Sequence, residues 1–274
     1  MSKFIISGFA DEIAKDLHTQ IATLRKLGIG FVEMRNVNGK QLVEHDLDEV
    51  KEIKKVLDDN GIKLSAVGSP IGKIGIKDDF TPHFDKFKHT VEIAQLLQTK
   101  YIRMFSFFIP RGEEADWYED EVINRWSKFV NYIKGTDIVL LHENEKDIYG
   151  DVPERCKNLL DKMNFNYVKG IFDPANFVQC KVDTLKAFNI LKDKIVYMHI
   201  KDAIFETGKV VPSGEGDGHV AEILKMLADS GFEGFLSLEP HLETGDIAVG
   251  GAEKFEIAYN ALMSIINSLD VEIL

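Results

Sequence analysis

The sequence predicts an α/β protein built as a single (β/α)₈ barrel, the TIM-barrel fold. Short β-rich segments alternate eight times with amphipathic helical segments, and the 274 residues suit a barrel of about 250 residues. No linker or low-complexity tract interrupts the alternation, so one domain is expected over residues 1–274. A doubly wound open sheet alternates in the same way, but the segment ISGFADEI after the first predicted strand is not the GxGxxG turn of that fold.

The predicted strands are short runs rich in Val, Ile, Phe or Tyr, and most of them end at a polar or glycine-containing turn. They cover residues 3–7, 31–35, 63–67, 101–106, 138–142, 168–172, 196–200 and 235–238.

The predicted helices show apolar residues at three- and four-residue spacing. The first apolar stripe ends at Gly28 and the second ends at Asn60-Gly61, which is a typical C-terminal signal. Further stripes run through residues 91–98, 122–133, 156–163, 185–191, 223–227 and 255–266, so each strand is expected to be followed by one helix.

The charge balance bears on the class of partner. The chain has 33 Lys and Arg against 45 Asp and Glu, a net charge of −12. Binding to nucleic acid or an anionic membrane needs a cationic surface, so neither kind of partner is expected. The aromatic residues Trp117, Trp126 and Phe129 near the fourth helix fit either contacts in a homo-oligomer or core packing.

Cysteine usage and the absence of targeting segments predict a cytoplasmic protein. Cys156 and Cys180 form no CxxC motif, which is typical of reduced thiols in the cytosol. The N-terminal MSKFIISGFADEI lacks the long apolar stretch of a signal peptide, and no apolar run approaches the roughly 20 residues of a membrane span.

Four consecutive predicted strands end in a residue able to carry chemistry. Strand five runs into Glu143, strand six into Asp173, strand seven contains His199 near its end, and strand eight runs into Glu239. Catalytic groups of (β/α)₈ barrels lie at these strand ends. Each residue alone is more typical of a helix cap, a loop or a satisfied histidine, but the alternation of side chains along a strand gives all four the same inward parity. We therefore expect them to converge at the mouth of the barrel.

Three carboxylates and an imidazole in one place repel one another unless a cation neutralises them. Oxygen ligands with one nitrogen suit Mn²⁺, Mg²⁺, Co²⁺ or Zn²⁺ rather than a thiophilic metal. The pattern therefore predicts a divalent metal site.

The motifs HENE, FDPANF, HIKD and SLEPH, with ADEI, GFVEMR and PSGEGDGHV, resemble the xylose isomerase-like sugar phosphate isomerase/epimerase superfamily, whose barrel is related to family 2 AP endonucleases. The resemblance implies one divalent metal ion, commonly Mn²⁺ with Zn²⁺, Co²⁺, Mg²⁺ or Fe²⁺ as substitutes, held by Glu143, Asp173, His199 and Glu239. It also implies that Glu143 and Glu239 are the catalytic acid/base pair on either face of an enediolate formed from a ketose.

Six further polar residues at strand ends or in the glycine-rich SGEGDG loop are expected to contact the substrate, and that loop is expected to cover the mouth. Glu33 and Arg103 fit a buried ion pair equally well, the residue at position 201 could instead pair with a ligand carboxylate, and the histidine at position 241 could be a solvated rim residue. The six are Glu33, Arg103, Asn176, Lys201, Glu215 and His241.

Two positions depart from the family pattern. Many members have ENH where this chain has Glu143-Asn144-Glu145, and DxxH where it has Asn176 as the last residue. Losing both histidines argues against the trinuclear zinc cluster of the endonuclease members. The expected activity is that of a metal-dependent isomerase or epimerase of a sugar, sugar phosphate or sugar acid. The alternatives are a dehydratase of an inosose-like keto-polyol on the same metal and a non-catalytic sugar-binding barrel.

Overall fold

A computed structural model describes residues 1–242 and 250–274 of the chain. Eight parallel strands form the wall of a barrel, and a short ninth strand is added at its edge. These strands are β1 (Ser2–Gly8), β2 (Phe31–Met34), β3 (Lys63–Val67), β4 (Tyr101–Met104), β5 (Val139–Glu143), β6 (Val168–Phe172), β7 (Ile195–Ile200), β8 (Glu233–Leu238) and β9 (Val271–Ile273).

The predicted (β/α)₈ barrel is confirmed, and every predicted strand overlaps an observed one. The order of the strands is β9-β1-β8-β7-β6-β5-β4-β3-β2, and all neighbouring strands run parallel. β9 pairs with β1 at Ser2–Phe4, whereas a bridge between Phe9 and Glu33 joins β1 to β2 just beyond the other end of β1. This bridge closes the sheet into a barrel at the end where the candidate site lies.

Helices cover the outside of the barrel, and several begin at an aspartate that accepts a hydrogen bond from the first turn. Asp46, for example, forms a reciprocal capping box with Glu49 at the start of the second helix. The helices are α1 (Leu17–Lys26), α2 (Leu47–Asp59), α3 (Phe80–Leu96), α4 (Glu119–Ile133), α5 (Pro153–Lys162), α6 (Pro174–Gln179), α7 (Thr184–Leu191), α8 (Val220–Ser230) and α9 (Gly251–Ile266).

The expectation of one helix after each strand is wrong at β6, where α6 and α7 follow in succession. Asp173 accepts a hydrogen bond from the backbone N–H of Asn176 and Pro174 fills the first turn, so a helix begins directly after the strand. Lys181 then adopts φ +61°, a left-handed conformation that ends α6. Asp183 caps the second helix by accepting from the N–H of Lys186.

The interior of the barrel is a packed layer of apolar and aromatic side chains. Its buried members are Ala66, Tyr101, Val139, Leu141, Ile171 and Tyr197. Two residues further along their strands, in the C-terminal direction, the same inward parity places Glu143, Asp173 and His199. The candidate site therefore rests directly on this layer, as expected of the fold.

The larger core lies between the barrel wall and the helices. Trp126 and Phe129 of α4 are fully buried in it, so they are core residues, whereas Trp117 before this helix is 71% exposed. Among the described residues, none of the helices combines the length and apolar character needed to cross a bilayer.

We expect His83 of α3 to make the fold less stable in mild acid. Its Nε2 atom accepts a hydrogen bond of 2.7 Å from the N–H of Gly72, and burial lowers its pKa to about 4. The unfolded chain binds the proton near pH 6.5, so the free energy of unfolding falls as the pH decreases from there toward 4. A His83→Gln variant keeps an acceptor and loses the titration. Its unfolding free energy should fall less steeply with decreasing pH, by up to about 1.4 kcal/mol per pH unit.

Urea denaturation of the two proteins at about pH 7, 6 and 5 measures this difference. Parallel pH profiles for the wild type and His83→Gln would contradict the assignment of a buried, neutral histidine.

Candidate active site

The structure brings together the four side chains that follow or end β5 to β8. Glu143, Asp173, His199 and Glu239 are all buried, and each offers one ligand atom such that these atoms lie within 4.8 Å of one another. Backbone parity places them there, because each is two residues beyond an inward-facing residue of its strand. We call these four residues the ligand cluster.

His199 is held with one ring nitrogen toward the ligand cluster and the other away from it. Its Nδ1 atom lies 3.0 Å from Glu143 Oε1, 3.7 Å from Glu239 Oε2 and 3.9 Å from Asp173 Oδ2. Its Nε2 atom lies 3.1 Å from Glu33 Oε2, which also accepts a 2.8 Å hydrogen bond from the Tyr197 hydroxyl. An Nε2–H donated to Glu33 leaves the Nδ1 lone pair available to a cation.

Two buried cations neutralise part of the ligand cluster. Lys201 Nζ lies 2.9 Å from both Asp173 Oδ2 and Glu239 Oε2, and Arg103 Nη1 lies 3.3 Å from Glu143 Oε2. Burial raises the pKa of Glu143, but His199 and Arg103 outweigh it and hold this pKa at about 2. Burial likewise opposes ionisation of Glu239, and Lys201 and His199 hold its pKa well below the usual range. Both glutamates are therefore ionised at neutral pH.

The other two members of the ligand cluster, Asp173 and His199, both have raised pKa values. Burial raises the pKa of Asp173 to about 7. Burial alone lowers the pKa of His199, but Glu143 and Glu33 raise it well above its usual value. Because both pKa values are raised, protonation of Asp173 and His199 is favoured when no other cation is present.

The ligand cluster fits a divalent metal ion. The buried atoms Glu143 Oε2 and Asp173 Oδ2 have ion-pair contacts with Arg103 and Lys201 but accept no hydrogen bond from the described residues, whereas buried acceptors in proteins are usually hydrogen-bonded. Three carboxylates and one imidazole nitrogen form a donor set that Mn²⁺, Mg²⁺, Co²⁺, Zn²⁺ and Fe²⁺ all accept. A cation at this place would satisfy both oxygens and replace the proton on His199.

A cavity of about 240 Å³ opens above the ligand cluster. Of the predicted substrate contacts, Arg103, Lys201 and His241 line it, together with Glu143 and Glu239. His241 lies at the rim with 38% of its side chain exposed, where its ring contacts Glu239 Oε1 at 3.2 Å. Lys201 also forms ion pairs with Asp173 and Glu239, which agrees with the alternative interpretation that it pairs with ligand carboxylates.

Glu33 and Asn176 contact the ligand cluster and do not line the cavity, so the structure places them behind the ligand side chains and not where substrate contacts were expected. Glu33 is fully buried beneath His199. Asn176 Nδ2 donates to Glu143 Oε1 at 3.3 Å and to the carbonyl of Asn144 at 3.0 Å. Both residues orient ligand side chains from behind.

The structure also does not place Glu215 and its loop among the residues that line the cavity. Glu215 is exposed. The loop instead folds around the buried carboxylate of Asp202. This carboxylate accepts hydrogen bonds from the N–H groups of Gly214, Gly216 and Gly218 at 2.8–3.1 Å. Glycine is needed at position 216, because a Cβ atom there would lie 2.4 Å from Asp202 Oδ1.

Sequence reasoning left Asp11, Glu12 and Arg35 without a role, although ADEI directly follows β1 and the rule of strand ends applied to it. The Arg35 guanidinium contacts Asp11 Oδ2 at 2.9 Å, Glu12 Oε1 at 3.3 Å and Glu239 Oε1 at 3.3 Å. Arg35 thus fixes the outer oxygen of Glu239 from the β1–β2 side of the mouth.

The chain belongs to the xylose isomerase-like TIM-barrel family, whose family model matches residues 21–258. No curated protein matches the chain significantly.

Several solved structures share this fold. The probable 3-DHS dehydratase AsbF of Bacillus anthracis is 16% identical, with a TM-score of 0.76 over 96% of this chain and 99% of its own. A D-tagatose 3-epimerase-like protein is 14% identical, with a TM-score of 0.73 over 98% and 99% of the two chains. The IolI protein with a bound zinc atom is 16% identical, with a TM-score of 0.71 over 96% and 97%. At 14–16% identity, these similarities show a shared fold alone.

We expect Glu33 to set the affinity for a divalent metal ion without being a ligand. The carboxylate of Glu33 keeps the proton of His199 on Nε2, and Glu33→Gln removes that negative charge. The lone pair of Nδ1 then binds a metal ion less strongly, so the affinity for Mn²⁺ should fall 10- to 100-fold. Calorimetric titration of the metal-free protein with Mn²⁺ measures this. Glu145→Gln is the matched control, since Glu145 lines the same cavity and pairs with Lys73. Equal affinities of Glu33→Gln and the wild type would contradict the assignment.

Proposed function

We propose that the protein is a divalent-metal-dependent isomerase or epimerase of a small sugar or sugar derivative. The observation that carries the proposal is the pair of ionised carboxylates, Glu143 and Glu239, which line one cavity and belong to one ligand cluster. They come from β5 and β8, strands separated by two others in the sheet, so they reach the cavity from different sides. Two bases on different sides of a bound sugar suit removal and return of a proton at carbon.

The proposed metal ligands are Glu143, Asp173, His199 and Glu239, and the metal would supply Lewis-acid stabilisation of the negative charge that develops on the substrate oxygens. One glutamate removes the proton from the carbon next to the carbonyl, giving an enediolate. The other returns a proton to carbon. Return to the opposite face of the same carbon is epimerisation, and return to the neighbouring carbon, together with transfer of a proton between the two oxygens, is isomerisation. Arg103 and Lys201 keep the two glutamates ionised and fixed in position.

A dehydratase of a keto-polyol is the second candidate, and the fold likeness to a probable 3-DHS dehydratase favours it. It shares the first step, removal of the proton next to a carbonyl, and then expels hydroxide instead of reprotonating carbon. Product analysis separates the two, because epimerisation keeps the mass of the substrate and dehydration removes one water.

We expect Glu143→Gln and Glu239→Gln each to reduce carbon–hydrogen exchange by a factor of about 10² to 10⁴, because each removes a carboxylate that carries a proton. The measurement is ¹H NMR of a panel of ketoses incubated in D₂O with the Mn²⁺-reconstituted protein, after the metal has been removed by chelation. Loss of a substrate proton signal reports exchange, and the mass of the product reports epimer or dehydrated product.

Glu215→Gln is the control for this panel, because Glu215 is exposed and outside the cavity. Wild-type exchange in either Glu143→Gln or Glu239→Gln would refute the paired-carboxylate mechanism. A wild-type protein that binds a ketose without exchanging any proton would favour the non-catalytic sugar-binding barrel.

A further inference from the structure

A two-stranded hairpin follows β2 and forms one wall of the cavity. Asn36–Val37 pairs with Lys40–Gln41 in an antiparallel arrangement, and the two residues between them, Asn38 and Gly39, have φ of +52° and +87°. An Asn-Gly turn of this kind is typical of tight hairpins. Because Asn36 lies directly opposite Gln41, their side chains project from the same face.

The hairpin is held in place from its outer side. The N–H of Asn38 donates to the carbonyl of Lys15 at 2.8 Å, and Asn38 Oδ1 accepts from the N–H of Leu17 at 3.2 Å. His45 Nε2 lies 3.1 Å from the carbonyl of Val37, which is fully buried. The face that carries Asn36 and Gln41 is therefore fixed relative to the barrel.

Both amides line the cavity that contains Glu143, Lys201 and Glu239. Asn36 Nδ2 donates to Asp11 Oδ2 at 2.6 Å, which orients this amide. Gln41 Oε1 is buried and accepts no hydrogen bond from any residue in the ranges 1–242 and 250–274. A buried amide oxygen without a donor is unfavourable, so its place beside the ligand cluster points to a donor that arrives with a ligand.

The charged groups of the cavity indicate what that ligand is. Each Lys or Arg that lines it already contacts a carboxylate: Lys73 reaches Glu145 at 3.0 Å, and the contacts of Arg35, Arg103 and Lys201 are given above. A phosphate group binds through charge-assisted hydrogen bonds from Lys or Arg, and here the ammonium and guanidinium groups already face carboxylates. An amide both donates and accepts, which matches the donor and acceptor of a hydroxyl group.

Building on the proposed function, we infer that the substrate is an uncharged, polyhydroxylated molecule and that Gln41, with Asn36, binds its hydroxyl groups away from the ligand cluster. Gln41 is then a specificity-determining residue, and a phosphorylated sugar gains nothing from its phosphate in this cavity.

The probes for the test are D-sorbitol and D-sorbitol 6-phosphate, polyols without a carbonyl that cannot react. Their affinities for the Mn²⁺-loaded protein are measured by calorimetric titration for the wild type, Gln41→Met and Lys40→Met. Methionine preserves the length of the glutamine side chain and removes its amide. Lys40 is the matched control on the same hairpin, because its ammonium group pairs with Glu49 and does not line the cavity.

We expect D-sorbitol to bind the wild type and Lys40→Met equally, and to bind Gln41→Met at least tenfold more weakly, with Mn²⁺ affinity the same in all three proteins. D-Sorbitol 6-phosphate should bind the wild type no more tightly than D-sorbitol. Unchanged D-sorbitol affinity in Gln41→Met, tenfold tighter binding of the phosphate, or no binding of D-sorbitol to the loaded wild type would overturn the inference.

These outcomes are separate from the test of the proposed function. If polyol binding depends on Gln41 but the protein exchanges no ketose proton, the role of Gln41 in binding hydroxyl groups is supported and the proposed enzymatic activity is refuted. If the wild type exchanges a ketose proton and Gln41→Met binds the polyol with wild-type affinity, the role of Gln41 is refuted and the proposed enzymatic activity is retained.

Discussion

Burial of negative charge at the C-terminal ends of the strands is the constraint around which this barrel is arranged. Four buried carboxylates, the three of the ligand cluster and that of Glu33, surround His199. Buried charges are tolerated only when paired, and Arg103 and Lys201 pair with part of them. The remaining negative charge shows in two carboxylate oxygens, Glu143 Oε2 and Asp173 Oδ2, that have ion-pair contacts but accept no hydrogen bond from the described residues. It shows also in His199, whose pKa is raised well above its usual value. A divalent cation would remove both signs of imbalance at once.

A chain of hydrogen bonds inside the barrel supports His199 and gives the site its orientation. Ser7 Oγ lies 2.7 Å from Ser65 Oγ, which lies 2.8 Å from the Tyr197 hydroxyl, and that hydroxyl donates to Glu33. Glu33 in turn contacts Nε2 of His199. Residues of β1, β3, β7 and β2 thus take part in the placement of one ring, so the site depends on a closed barrel. Such second-layer contacts commonly tune metal affinity and the basicity of the ligand.

The sequence alone located the strands and the ligand cluster, because the two-residue period of a strand fixes which side chains point inward. It failed where position depends on contacts between distant elements. Asn176 lies on a short helix that the spacing of apolar residues did not reveal. The glycine loop of Glu215 folds over Asp202, and composition cannot tell which carboxylate will attract such a loop. Gln41 lies on a hairpin whose turn is visible in the sequence, but which face meets the cavity is decided by tertiary packing.

The central claim is that the ligand cluster holds one divalent cation through Nδ1 of His199 and three carboxylates. Anomalous diffraction from crystals soaked in Mn²⁺, recorded on either side of the manganese absorption edge, tests it most directly. We expect a single strong peak bounded by Glu143, Asp173, His199 and Glu239. Absence of a peak there at saturating Mn²⁺, or a peak from which His199 is turned away, would contradict it.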